Sequence, residues 1–233
     1  MSEAMVAAGS ARQAACTPAA RLTRSLLGYG ALAGPFYVVV VLGQALLRPG
    51  FDLAHDDASL LSNGSYGWIQ IANFLLTGAM VIAFAVGVRR ALKGGSAQTW
   101  GPLLLALFGL GMIGAGLFVA DPMGGFPPGT PPGRPQAISV HGMLHIVSAG
   151  IGFLGFAAAC FVIAQRFARE RRSAWKWSSR VTGLLFLAGF AGLASGSSSS
   201  AVVLAFWAAL LVAWGWLGAL AISLYRRVGE VER

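Results

Sequence analysis

ISVHGMLHIVSAGIGFLGFAAACFVIA occupies residues 138–164. It holds no Asp, Glu, Lys or Arg, and only His141 and His145 carry titratable rings. About 20 apolar residues in an α-helix cross the hydrocarbon core of a bilayer, so this run is long enough to span one. The chain continues as QRFARERRSAWKW (165–177), with Arg166, Arg169, Arg171, Arg172 and Lys176 close together. Basic residues of this kind stay on the cytoplasmic side of a membrane. This stretch therefore predicts both a span and its direction, with the histidine end facing outward.

Five further runs surround it, at about Leu26–Leu47, Trp68–Val88, Pro102–Ala120, Val181–Ser195 and Ala201–Leu224. The fifth of the six, Val181–Ser195, is the shortest. Helices are the expected form because lipid offers backbone groups no partners. Composition agrees: 56% of residues are hydrophobic and 11% charged, against about 25% charged in soluble domains. The basic residues alternate between connections. Arg12, Arg21, Arg24, Arg89, Arg90, Lys93, Arg166, Arg169, Arg171, Arg172, Lys176, Arg180, Arg226, Arg227 and Arg233 fall on one side, and only Arg48 and Arg134 on the other.

These patterns predict an all-α integral membrane protein of the inner or plasma membrane. It is a six-transmembrane-helix bundle with both termini cytoplasmic: a disordered tail over 1–25, a membrane domain over 26–225 and a second tail over 226–233. The net charge of +9 follows from this topology rather than from nucleic-acid binding, so the expected partner is the lipid bilayer, with a lipid or small-molecule ligand at the outer face. Cys16 and Cys160 form no CxxC pattern and are expected to be unpaired. Trp68, Trp100, Trp175 and Trp177 fall at the expected interfaces, and Trp214 and Trp216 are read as packing residues. The abundant glycines fit close helix packing.

Two long connections face outward. Residues 49–66 read PGFDLAHDDASLLSNGSY, whose LL pair suggests a short helix on the membrane surface, capped by Asp56 or Asp57. Residues 121–137 read DPMGGFPPGTPPGRPQA, an irregular cap rich in proline and glycine. All three histidines lie on this side. His141 and His145, at i and i+4, point from one face of a helix, a spacing found in zinc-binding helices. HGMLH lacks the glutamate of HExxH, so the metalloprotease motif itself is absent.

With His55 or Asp121 as third ligand, zinc would have three protein ligands and an open position, and could supply a hydroxide nucleophile. Asp121 could instead orient a ligand histidine, and Ser62 would assist at an oxyanion. This reading makes the chain a metal-dependent lipid or small-molecule hydrolase. The competing reading is a non-catalytic ligand-binding, sensor or transporter-like module in which the His/Asp network is structural or responds to external pH.

GPFY (Gly34–Tyr37), DASLLSNGSYGWIQIAN (Asp57–Asn73), Asp121-Pro122 and HGMLH together resemble the bacterial membrane family catalogued as domain of unknown function 998, over about residues 27–225. The resemblance implies a six-helix membrane protein and no assigned activity. A looser likeness of composition extends to the membrane hydrolases that include alkaline ceramidases and progestin/adiponectin-type receptors. Those gather a serine, an aspartate and three histidines around zinc, as Ser62, Asp121, His55, His141 and His145 would here. They have seven helices with the histidine pair in the last, whereas this pair falls in the fourth of six.

Overall fold

The computed structural model describes residues 17–197 and 199–228. They form six long helices: α1 (Pro18–Leu47), α2 (Gly67–Ala91), α3 (Ser96–Leu117), α4 (Val140–Arg169), α5 (Ser173–Ala194) and α6 (Ser200–Arg227), with a 3-10 turn over Ala58–Ser62. Thr17 caps α1 by accepting the Ala20 N–H at 3.2 Å. The first helix thus takes in residues 18–25, ahead of its apolar run. The rest of the predicted N-terminal tail, Cys16 included, lies outside the described residues.

Five helices are long and apolar enough to cross a membrane. The sixth, α5, falls short because its first two turns carry Ser173, Lys176, Ser178, Ser179 and Arg180. That polar start still packs into the bundle, since buried Ser179 accepts the Trp216 indole N–H at 3.0 Å. Trp216 is a packing residue, as expected.

Each helix lies against its neighbours in sequence, and α6 closes against α1. The result is a ring in chain order. A glycine sits at a close approach in every seam. Cβ atoms added at Gly78 and Gly109 would each lie under 3 Å from the other's carbonyl oxygen across α2–α3. Gly111 and Gly152 face each other across α3–α4, Gly183 faces Cys160 across α4–α5, and Gly189 faces Phe206 and Ala209 across α5–α6. Gly34 meets Trp214 across α6–α1, and Gly87 meets Leu26 and Leu27 across α1–α2. Such contacts let backbones approach where lipid removes the hydrophobic drive between helices.

The two ends of the ring differ in charge. At one, Arg24 reaches the Val228 carbonyl, Arg90 donates to Thr23 Oγ1, Arg166 donates to the Lys93 and Gly94 carbonyls, and Glu170 pairs with Arg166 and Arg227. These bonds gather the start of α1, the α2–α3 and α4–α5 connections and the end of α6 into one basic end.

The opposite, cap end carries the long loops, organised around Arg48. Its guanidinium donates to the Leu61 and Asn63 carbonyls and stacks 4.8 Å from the centroid of fully buried Phe126. Asp57 caps the 3-10 turn by accepting the Ser59 N–H at 2.8 Å. The expected surface helix is corrected here: Leu60 and Leu61 are both buried, so the turn plugs the end of the ring instead of lying on it.

Candidate functional site

A cavity of about 740 Å³ opens beneath the cap-end loops. Deep in the bundle α4 and α5 meet at Gly183 and Cys160, where an added Cβ would lie 3.0 Å from the cysteine Cβ. Toward the cap end Phe153 and Phe190 pack between them, with ring centroids 5.2 Å apart. The cavity lies on the cap side of this contact, walled by Met112 of α3, Gly152 and Phe153 of α4, Leu193 of α5 and Val203 and Phe206 of α6. Its floor is aromatic: Trp214 stands 5.2 Å from Tyr37 and 5.7 Å from Phe108, centroid to centroid. Ile138 and Ile146 line the cavity and are more than half exposed.

Its mouth is polar, with His55, Asp56, Asp57, Asp121 and Arg134 around it. Asp56 is buried; its Oδ2 accepts the Asp52 N–H at 2.8 Å, and its carbonyl accepts the Trp207 indole N–H at 3.2 Å. Burial pushes its carboxyl above the usual carboxylate range, and nearby Asp57 and Asp52 add to this. Arg134 lies across the turn after α5, against Gly196.

The residues singled out from sequence separate into different roles. His145 is buried, and its Nδ1 lies 2.9 Å from the Ala115 carbonyl and 2.8 Å from the Phe118 carbonyl. The imidazole thereby satisfies acceptors at the frayed end of α3 and also faces the cavity. His141, one turn nearer the cap end, is exposed beside the Phe118 ring. His55 is exposed and bonded through Nδ1 to Asp52 Oδ2 at 2.8 Å.

Asp121 accepts the Ser139 N–H at 2.9 Å and rests against Gly142. It anchors the start of α4, where a carboxylate is favoured by the unpaired N–H groups and the helix dipole. Ser62 is buried, with its hydroxyl donating to the Ser59 carbonyl at 2.6 Å. It locks the 3-10 turn and does not line the cavity.

The expected zinc site therefore has no ligand set. Among the described residues no three His, Cys, Asp or Glu side chains converge. The physical reason is that His145 is turned onto backbone carbonyls, Asp121 onto a helix start, and His55 onto its own loop.

The residues that shape the cavity were not evident as a site in the sequence. Trp214 and Tyr37 look like core, and Arg134 looks like a loop charge. The one available signal was Tyr37 within GPFY, which the fold places at the floor.

The sequence model of a family described as "Protein of unknown function (DUF998)" matches residues 31–223. No curated protein and no solved structure matches.

Proposed function

We infer the function of this chain, which belongs to the DUF998 family, from its cavity: it is a multi-pass membrane protein that holds one amphiphilic molecule, with the head at the cap-end mouth and the chain toward the floor. The observation that carries this reading is a cavity with a polar mouth and an aromatic floor. Its size of about 740 Å³ falls within the range of roughly 300–1,000 Å³ usual for small-molecule sites. An apolar chain gains about 0.8 kcal/mol per CH₂ removed from water, but nothing from leaving lipid. Selectivity must then come from the head.

Binding is favoured over metal-dependent hydrolysis because no three His, Cys, Asp or Glu side chains among the described residues are grouped to hold a metal ion. In this reading α5 is also a span, the cap end faces outward, and both termini are cytoplasmic.

Two experiments test it. In nanodiscs, a long-chain alcohol brominated at mid-chain should quench Trp207 and Trp214, which line the cavity, in a saturable way. Filling the cavity with Ala149→Phe and Leu193→Phe, at two of its lining positions, should abolish the saturable part. Quenching that survives both fillers rules the cavity out.

For topology, single cysteines are placed in a cysteine-free background at exposed Ser65, Ser96 and Ser195. In intact cells a membrane-impermeant maleimide should label Ser65→Cys and Ser195→Cys but not Ser96→Cys. Protection of Ser195→Cys would mean that α5 does not span.

A further inference from the structure

The geometry points to a ligand whose head donates hydrogen bonds, a protonated amine first and a hydroxyl second, and which carries no carboxylate or phosphate. This inference rests on the cavity reading above and adds the chemistry of the head.

It follows from accounting for the polar atoms around the cavity. Asp57 spends Oδ1 on the Ser59 N–H, and Asp121 spends Oδ2 on the Ser139 N–H. His55 is held by Asp52. Near the mouth two groups that are more than nine-tenths buried remain, Asp56 at 4% exposure and His145 at 5%, and on the floor the Trp214 indole N–H is buried without a partner.

The tautomer of His145 is decided by its partners. An Nδ1 atom within 3 Å of two carbonyl oxygens must carry the proton, because carbonyls only accept. In the neutral ring the lone pair then sits on Nε2, which has no partner among the described residues and belongs to a side chain lining the cavity. Asp56 is similar: Oδ2 accepts the Asp52 N–H, and Oδ1 accepts nothing among the described residues. The polar atoms left open near the mouth are thus two acceptors, while the floor holds one open donor, Trp214 Nε1.

A donor head matches the two acceptors at the mouth, with the apolar chain lying toward the floor. An anionic head would meet Asp56, Asp57 and Asp121, with only exposed Arg134 to offset them. A cationic head would gain from the same three carboxylates.

The test uses one chain with three heads. Dodecylamine, dodecanol and dodecanoate compete at pH 7.5 with the brominated alcohol for the protein in nanodiscs, and the Ala149→Phe variant measures partition into lipid alone. Dodecylamine should displace the probe at least about tenfold more tightly than dodecanoate, as expected for a hydrogen bond to a charged group of about 1.5–3 kcal/mol. Asp56→Asn keeps an acceptor for the Asp52 N–H. It should weaken dodecylamine by about tenfold or more while changing dodecanol by less than about threefold. His145→Asn keeps a donor for the α3 carbonyls and removes the Nε2 acceptor, so it should weaken both.

Dodecanoate binding as tightly as the amine, or amine affinity unchanged in Asp56→Asn, overturns the head assignment even while Ala149→Phe still blocks the probe. Should none of the three chains displace the probe from the unmodified protein, the cavity reading itself fails. Asp56→Asn alone decides the matter if His145→Asn does not fold.

Discussion

The guanidinium plane of Arg48 lies 4.8 Å from the centroid of the Phe126 ring while its Nη atoms hold the Leu61 and Asn63 carbonyls. One side chain at the end of α1 therefore joins both cap-end loops. Charged hydrogen bonds contribute about 1.5–3 kcal/mol and a cation–π contact about 0.5–2 kcal/mol. Arg48→Ala should accordingly destabilise the protein by about 2–4 kcal/mol, read as a lower melting temperature in detergent. Arg48→Lys should recover less than half of the loss, because an ammonium lacks the planar fork. Full recovery by lysine would mean that charge alone suffices.

Asp121 and Gly142 are coupled. A Cβ at Gly142 would collide with the Asp121 carboxylate, which itself anchors Ser139. Losing a helix-start acceptor costs about 0.5–2 kcal/mol, and Gly142→Ala should cost at least as much through the clash. In Asp121→Ala/Gly142→Ala the clash is gone, so the double variant should be milder than the sum by about 1 kcal/mol. Strict additivity in chemical denaturation would refute the contact.

The glycines fall into two classes. Gly78 and Gly109 have no room for a methyl group, whereas Gly28, Gly43, Gly215 and Gly218 have nothing within 4 Å of an added Cβ. Alanine at either of the first pair should destabilise by about 1–3 kcal/mol through overpacking. Alanine at the open sites should be neutral or stabilising by up to about 1 kcal/mol. Thermal melts of the six single variants separate the classes, and equal losses in both would sink the assignment.

Asp56 should give the fold a pH response. Burial raises its carboxyl in the folded state, so its contribution is complete below the ordinary carboxylate range near 4 and declines as pH rises through the raised folded value. Asp52 works the other way. The Ala54 N–H, and then His55, hold its carboxyl low, so its contribution is lost as pH falls through the lowered value. Asp56→Asn should therefore gain stability relative to the unmodified protein as pH rises from about 4. A constant difference between the two across that window would contradict it.

The helices were legible as apolar runs, and His141 and His145 were legible as a pair. What the spacing could not tell is which way the shared face turns. The register of α4 is set by Ser139 and Asp121 at its start, and it buries one histidine while leaving the other exposed. Ser62 and Asp121 looked available for chemistry because a sequence does not show which backbone N–H or carbonyl a short side chain will meet.

The cavity was hidden for a different reason. It is lined from all six helices, and no single residue type announces that. The start of α5 was missed because Ser179 is polar yet buried by its bond to Trp216.

The ring has a consequence for biosynthesis. Its closing seam joins the first helix to the last, through Gly34 and Trp214, and the aromatic floor draws Tyr37, Phe108 and Trp214 from α1, α3 and α6. While the ribosome is still making α6, the other five helices form an open arc whose inner surface can be reached by lipid. The cavity is therefore complete only once α6 is in place, and a chain truncated before Ser200 would lack Trp214 of its floor and the wall of Val203 and Phe206.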